Sequence, residues 1–187
     1  GKGRCPSDMT TGSSVWIETT ASRQSSAKKV RLMTLANVLL WFAFLSCGLL
    51  AGLYFAFSAF IMRALGEIDR AAGIAAMSAI NRVILRSSFM PLFFGSTLAS
   101  GALIVIALRN SAAPGAMPML WGGILYGVGM FGVTMFCNVP LNNALDRGAQ
   151  DWTHYRRRWT LWNHVRTAAS TAAMALFALA LVQSAQP

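Results

Sequence analysis

Residues 32–62 read LMTLANVLLWFAFLSCGLLAGLYFAFSAFIM, and this stretch contains no charged residue. Three further stretches share that property: 87–108, 110–145 and 167–187. About 20 predominantly apolar residues are enough to cross the hydrocarbon core of a bilayer as a helix. Each stretch is long enough for one crossing and too short for two helices and a turn, so the sequence predicts four transmembrane helices.

The predicted fold class is all-α membrane: a four-helix up-down bundle, with a short interfacial helix between helices one and two. The transmembrane domain is placed at 32–183, with spans at about 33–62, 88–108, 119–139 and 162–182. The interfacial helix is predicted at 68–84, because apolar residues recur there at helical spacing among charged ones. In an up-down bundle the two long loops, 63–87 and 140–162, lie on the same side of the membrane.

The charge of the chain is strongly basic, with 16 Lys and Arg against 6 Asp and Glu. These cations stand at the ends of the apolar stretches, where they meet lipid headgroups. A nucleic-acid surface needs basic residues interleaved with aromatic ones in a polar segment, and the sequence has no such run. We therefore expect the lipid bilayer as a partner and no nucleic acid.

The first 31 residues differ in composition from the rest of the chain. They are rich in Ser, Thr, Lys and Arg and show no apolar periodicity, so we predict a disordered tail at 1–31. The chain opens with Gly1, and Met33 stands at the start of the first apolar stretch. We expect the natural protein to begin near Met33 and the tail to be upstream translation or a fragment end.

Helix four carries polar residues within an apolar span. Successive residues of an α-helix turn by about 100°, which puts Asn163 and Arg166 on one stripe and His164 on the stripe beside it, opposite an apolar half. Ionisable residues inside a span are candidates for function. The alternative is that His164 and Arg166, near the predicted helix start, reach out to the headgroups as anchors.

A second polar group is the segment NVPLN at 138–142. Pro140 has no N–H, so it leaves the Phe136 carbonyl without its helical partner and bends or ends helix three. Irregular backbone at membrane depth is tolerated where it faces protein or a wet cavity. Asn138 and Asn142 lie one turn apart and add amide groups to one face. The alternative is a helix end with polar residues.

The sequence offers few ligands for a redox cofactor. Its two histidines, His154 and His164, would be about 15 Å apart on one continuous helix, which is too far to sandwich a haem. Cys47 and Cys137 lie in apolar stretches without zinc-binding spacing and are interpreted as packing residues. The scattered methionines also indicate packing, with copper as an open alternative. We expect no cofactor and no metal.

The whole pattern from Met33 onward resembles the anthrone oxygenase-like family, a group of bacterial and fungal membrane proteins catalogued as a domain of unknown function. The resemblance rests on GLYFAFS at 52–58, GIAAM at 73–77 with the following Asn81, NVPLN at 138–142 and WTLWNHVR at 159–166. It implies a four-helix membrane protein. For fungal members it also implies oxidation of a polyketide anthrone to an anthraquinone by molecular oxygen, with no evident metal or flavin.

Such an oxidoreductase needs a base, donors to an oxyanion, and an apolar aromatic slot for the substrate. Roles can be assigned by chemical type alone. His164 is the candidate base, and the candidate oxyanion donors are Asn138, Asn163 and Arg166. The candidate substrate-binding residues are Asn142, Trp159, Trp162, Tyr155, Asn81 and Ser58. The expected partners are a small hydrophobic aromatic substrate and oxygen.

Two other functions stay open. One is a non-catalytic membrane protein that has a structural role or binds a lipid or partner. The other is a small transporter, although a proton-coupled pump normally needs a carboxylate within a span and all six Asp and Glu lie outside the predicted spans. In each case we expect a multi-pass protein of the bacterial inner membrane.

The orientation in the membrane gives a first testable prediction. If the chain begins near Met33, the two Arg-rich loops dominate the charge balance and lie in the cytoplasm. In a cysteine-free background, Ala113→Cys should react with an impermeant thiol reagent from outside intact cells, and Ala149→Cys should be protected. The reverse pattern would refute this orientation.

Overall fold

A computed structural model of the chain describes residues 11–185, apart from the side chains at 11–22, 25, 28–30 and 32. The chain divides into two compact units, Gly1–Asn37 and Val38–Pro187. The described part of the first unit is helical. The second unit contains the remaining elements.

Helices make up all the regular structure of the described residues. In chain order they are α1 (Thr11–Ala56), the π-helix π1 (Phe57–Ile61), α2 (Met62–Glu67), α3 (Arg70–Ile84), α4 (Phe89–Arg109), α5 (Ala116–Leu125), the π-helices π2 (Tyr126–Gly132) and π3 (Thr134–Asn138), α6 (Val139–Asp146) and α7 (Trp152–Ser184).

Four helical stretches are long and apolar enough to cross a membrane: Met33–Glu67, Phe89–Arg109, Ala116–Asp146 and Trp152–Ser184. The predicted four-helix membrane fold is therefore confirmed. The fourth helix begins at Trp152, in the Trp- and Arg-rich stretch before the predicted span, where the Asp151 side chain caps it by accepting the His154 N–H. Arg166 consequently lies well inside this helix and not in its first turns.

Helix α1 begins at Thr11, so the structure has helix at 11–31, where the sequence predicted a disordered tail. Residues 1–10 of that predicted tail lie outside the described residues. Lengthening an existing helix adds one hydrogen bond per residue without the cost of a new nucleus. This accounts for helix at residues that precede the apolar stretch in the chain.

The two long connections meet at one end of the bundle, which we call the polar end. The predicted interfacial helix is α3, and it packs against α2 and α6. Arg70 at its start forms an ion pair with Asp151, with 2.8 Å between Nη2 and Oδ1. The pKa of the Asp151 carboxyl lies below its usual value, mainly because it accepts the backbone N–H of His154, with Arg70 contributing.

Small residues allow the second and third spans to pack closely. A Cβ added at Gly123 would lie 2.6 Å from Ile104 Cγ1 and 2.9 Å from the Ser100 carbonyl oxygen. Gly127 lies four residues further on, a spacing that would put it on the same face of a regular α-helix, yet a Cβ there would meet nothing within 4 Å. The reason is that π2 begins at Tyr126, and a wider turn rotates the following residues away from the α-helical register.

These two glycines make a matched pair for a stability measurement. Gly123→Ala should lower the free energy of unfolding by about 1–3 kcal/mol, because the new methyl group overpacks a contact that includes backbone. Gly127→Ala should leave it unchanged or raise it, since alanine is the better helix former. Titration of the protein with dodecyl sulfate in mixed micelles measures both. Equal effects at the two positions would contradict the packing described here.

Candidate functional site

A cavity of about 310 Å³ lies between the spans at the polar end. All four spans and α3 contribute to its wall. Its body is apolar, with Phe89 and Phe93 from α4 and Met77 from α3, and its polar lining includes Asn142 and Asp146. The volume is at the lower end of the range for small-molecule sites, roughly 300–1,000 Å³.

The Arg166 side chain lines this cavity and is only 5% exposed. Its guanidinium carbon lies 4.4 Å from the centre of the Tyr54 ring and 5.1 Å from that of Trp159. Contacts of this kind stabilise a cation through the negative face of each ring. On α7, Arg166 lies eight residues, or about 12 Å, beyond Arg158. It is therefore a buried cation and not a headgroup anchor.

No carboxylate neutralises this cation in the part of the chain that the structure describes, where the ion pair present is Arg70–Asp151. Arg166 instead donates from Nη2 to Asn163 Oδ1 at 2.7 Å and from Nη1 to Thr134 Oγ1 at 3.4 Å. Its Nε has no hydrogen-bond partner among the described residues. A buried charge without a counter-charge is costly, so an anionic ligand at this position would be strongly favoured.

Asn163 fixes the position of Arg166 by using both ends of its amide. While Oδ1 accepts from Arg166, Nδ2 donates to the Tyr54 carbonyl and to Ser58 Oγ, both at 2.7 Å. Ser58 in turn lies 3.2 Å from Thr167 Oγ1. The amide therefore connects the guanidinium to the first span, beside π1.

Asn138 and Asn142 support the wall from the third span. The buried Asn138 donates from Nδ2 to the Trp159 carbonyl at 3.3 Å. Asn142, which lines the cavity, accepts from the Tyr155 hydroxyl at 2.9 Å. The predicted irregularity at Pro140 takes the form of π3 followed directly by α6, so the helix is distorted there and not ended.

The structure gathers most of the predicted site residues but separates two of them. Arg166, Trp159, Asn81 and Asn142 line the cavity, and Asn163, Asn138, Ser58 and Tyr155 hold those residues or their neighbours in place. His164 is exposed and does not line the cavity, so the expectation that it shares the cavity with Arg166 is not met. Trp162 is half-buried and also lies outside the lining. On an α-helix His164 is rotated by about 200° from Arg166, which explains the separation.

Sequence reasoning missed three residues that shape the site. Tyr54 and Thr134 contact the guanidinium, and Phe93 forms part of the apolar wall. The i, i+4 spacing of Phe89 and Phe93 on helix two was a usable signal for an aromatic wall, and their rings stack at 5.6 Å. Thr134 carried no such signal, because its position follows from the π-helical turns around it.

Comparison with protein-family models matches residues 87–176 to the anthrone oxygenase family. This part of the chain is similar to that family. The matched segment spans α4 to most of α7, and so includes Thr134, Asn138, Asn163 and Arg166. The predicted resemblance to this family is confirmed, while the segments at 52–58 and 73–81 lie outside the match. Comparison with curated proteins and with solved structures gives no match.

The coupling between Arg166 and Asn163 can be measured in a double-mutant cycle. Asn163→Leu should destabilise the protein by about 3–5 kcal/mol, because it removes a partner of a buried charge. In an Arg166→Met background the same change should cost clearly less, leaving a coupling of about 1–3 kcal/mol. Unfolding in mixed micelles supplies the four free energies. Additive effects would mean that the amide does not support the guanidinium.

Proposed function

We propose that this protein oxidises a flat aromatic ketone of the anthrone type with molecular oxygen, using its own side chains and no cofactor. One observation carries the proposal: Arg166 is a buried cation without a carboxylate partner among the described residues, set in the wall of an apolar, aromatic cavity. The match to the anthrone oxygenase family supports the same chemistry.

The aromatic wall suits the body of such a substrate, and Arg166 suits its oxygen. An anthrone has an acidic C–H on the carbon opposite its carbonyl, and loss of that proton places negative charge on the carbonyl oxygen. A fixed cation in an apolar site stabilises this anion far more than water does. Phe89, Phe93 and Trp159 offer ring faces to the apolar body of the substrate.

The reaction then balances with oxygen as the only oxidant. The anion gives its electrons to dioxygen and a C–O bond forms, which after protonation is a hydroperoxide on the ring carbon. The second hydrogen leaves that carbon as a proton, the O–O bond breaks, and water departs with one oxygen atom. The product is the quinone, with one oxygen atom from dioxygen in its new carbonyl.

The first proton needs an acceptor, and the geometry favours Asp146 over His164 for this role. Asp146 is the carboxylate among the residues that line the cavity, and it is exposed at the polar end, where water can carry the proton away. His164 is exposed outside the lining, so the proposal assigns it no step. Asn163 and Asn138 act as positioning residues for Arg166 and Trp159.

The proposed setting is the inner membrane of a bacterium, with the long connections in the cytoplasm. The four spans support a multi-pass membrane protein. Exposed arginines on α3 and at the start of α7 support contact with anionic headgroups at the polar end.

Oxygen uptake by the full chain in lipid nanodiscs, with anthrone as substrate, tests the proposal. After subtraction of the uptake in empty nanodiscs, Arg166→Gln should lower kcat by about 10²–10³-fold through loss of the oxyanion partner. Asp146→Asn should lower it by about 10²-fold or more through loss of the base. His164→Gln is the matched control on the same helix and should leave kcat unchanged.

The outcomes separate the alternatives. Anthrone that binds to the intact protein without oxygen uptake would favour a non-catalytic binding protein. Full activity of Arg166→Gln would remove the oxyanion role, and loss of activity in His164→Gln would restore the histidine as the base.

A further inference from the structure

The cavity at the polar end is closed on two sides and open on the others. On the sides of the first and fourth spans most of its wall residues are buried: Tyr54, Phe57, Trp159 and Arg166 are each at most 8% exposed, and Leu53 is half-buried. On the sides of the second and third spans, lining residues also reach the outer surface. Phe94 is 46% exposed and Met135 is 39% exposed.

This opening follows from how the third span is built. Helix α4 packs closely along α5 and π2, but not along π3 or α6. The last ring contacts between the two spans join Phe131 to Phe93 at 5.5 Å and to Phe94 at 6.5 Å. Beyond them, toward the polar end, π3 turns the third span off the α-helical path, and the cavity-lining side chains of Phe94 and Met135 are both exposed at the outer surface. We call this part of the cavity wall, marked by Phe94 and Met135, the lateral window.

The surface around the lateral window is apolar. Leu98, one turn from Phe94 on the same face of α4, is 75% exposed, and Phe136, next to Met135, is 82% exposed. Both belong to stretches that can span the membrane. Side chains of this kind face lipid in a membrane. Of the other exposed lining residues, Arg82, Asn143 and Asp146 are polar, whereas Leu85, which is 63% exposed, is apolar. We call this mainly polar part of the lining, at the end of the bundle, the polar opening.

We propose that the lateral window is the entry route for the substrate, an uncharged flat aromatic ketone dissolved in the hydrocarbon core of the bilayer. Such a molecule partitions strongly into lipid and passes Phe94 and Met135 without meeting a charge. It becomes an anion only beside Arg166, and the polar opening carries the proton and water. The inference rests on the proposed function for the nature of the substrate alone.

The entry route determines how fast a molecule reaches the cavity. Its test is therefore the rate at which a reagent reaches the cavity, and not the fraction of cavities that are occupied at equilibrium. Met77 lines the cavity and is 1% exposed, which makes Met77→Cys a reporter inside it. In a full chain with Cys5, Cys47 and Cys137 replaced by Ala and reconstituted in phosphatidylcholine vesicles, two thiol reagents are compared. N-phenylmaleimide is flat, aromatic and uncharged, whereas a trimethylammonium methanethiosulfonate is charged and excluded from lipid. Rates are normalised to those with a free thiol.

Entry through the lateral window predicts that N-phenylmaleimide reacts at least about tenfold faster than the charged reagent, which corresponds to about 1.4 kcal/mol in barrier height. Filling the window with Phe94→Trp and Met135→Trp should slow N-phenylmaleimide about tenfold. Leu98→Trp, on the same face but outside the cavity lining, should not.

Two results would overturn the inference: equal normalised rates for the two reagents, or an unchanged N-phenylmaleimide rate in the window variant. The reagent comparison needs no window variant, so it stands even if the double Trp variant does not fold. Neither reagent is oxidised in the assay. If the labelling rates support lateral entry but the protein does not oxidise anthrone, the proposed function is refuted and the entry route is not.

Discussion

A guanidinium held between two aromatic rings, without a carboxylate among the described residues to neutralise it, is the constraint on which the polar end of this bundle depends. Arg166 is buried within the bundle, so aromatic rings and neutral dipoles from its own helix and from two other spans must stabilise it. Asn163 connects it to Tyr54 and Ser58 in the first span, and Thr134 connects it to the third. Neutral partners leave its positive charge uncompensated and available to a ligand.

The fold could be predicted from the sequence because the bilayer imposes a simple rule on it. Uncharged stretches of sufficient length mark the spans, and the lengths of the loops decide which helix ends meet. The first and last residues of the helices were less predictable where a local interaction determined them. The start of α7 depends on Asp151 as a cap. The helix at 11–31 continues one that the apolar stretch had already begun.

The site could be predicted only in part, because a helical wheel assumes one regular turn throughout. On the regular helix α7 the wheel correctly placed Asn163 and Arg166 on one stripe and His164 on another, but a shared polar half was taken to mean a shared cavity. The third span contains π2 and π3, which shift the register, so α-helical spacing does not place Gly127 beside Gly123 and gave no sign of Thr134. Beyond π2, the third span no longer packs closely along α4.

The claim that Arg166 stabilises an anionic ligand oxygen is tested most directly by the ionisation of a bound ligand. Anthrone absorbs differently as a ketone and as its anion, so it can be titrated by absorbance under nitrogen, which prevents oxidation. In nanodiscs containing the protein, the bound fraction should ionise at a lower pH than anthrone in empty nanodiscs, since a nearby cation favours the charged form. Ionisation at the same or a higher pH would contradict the account.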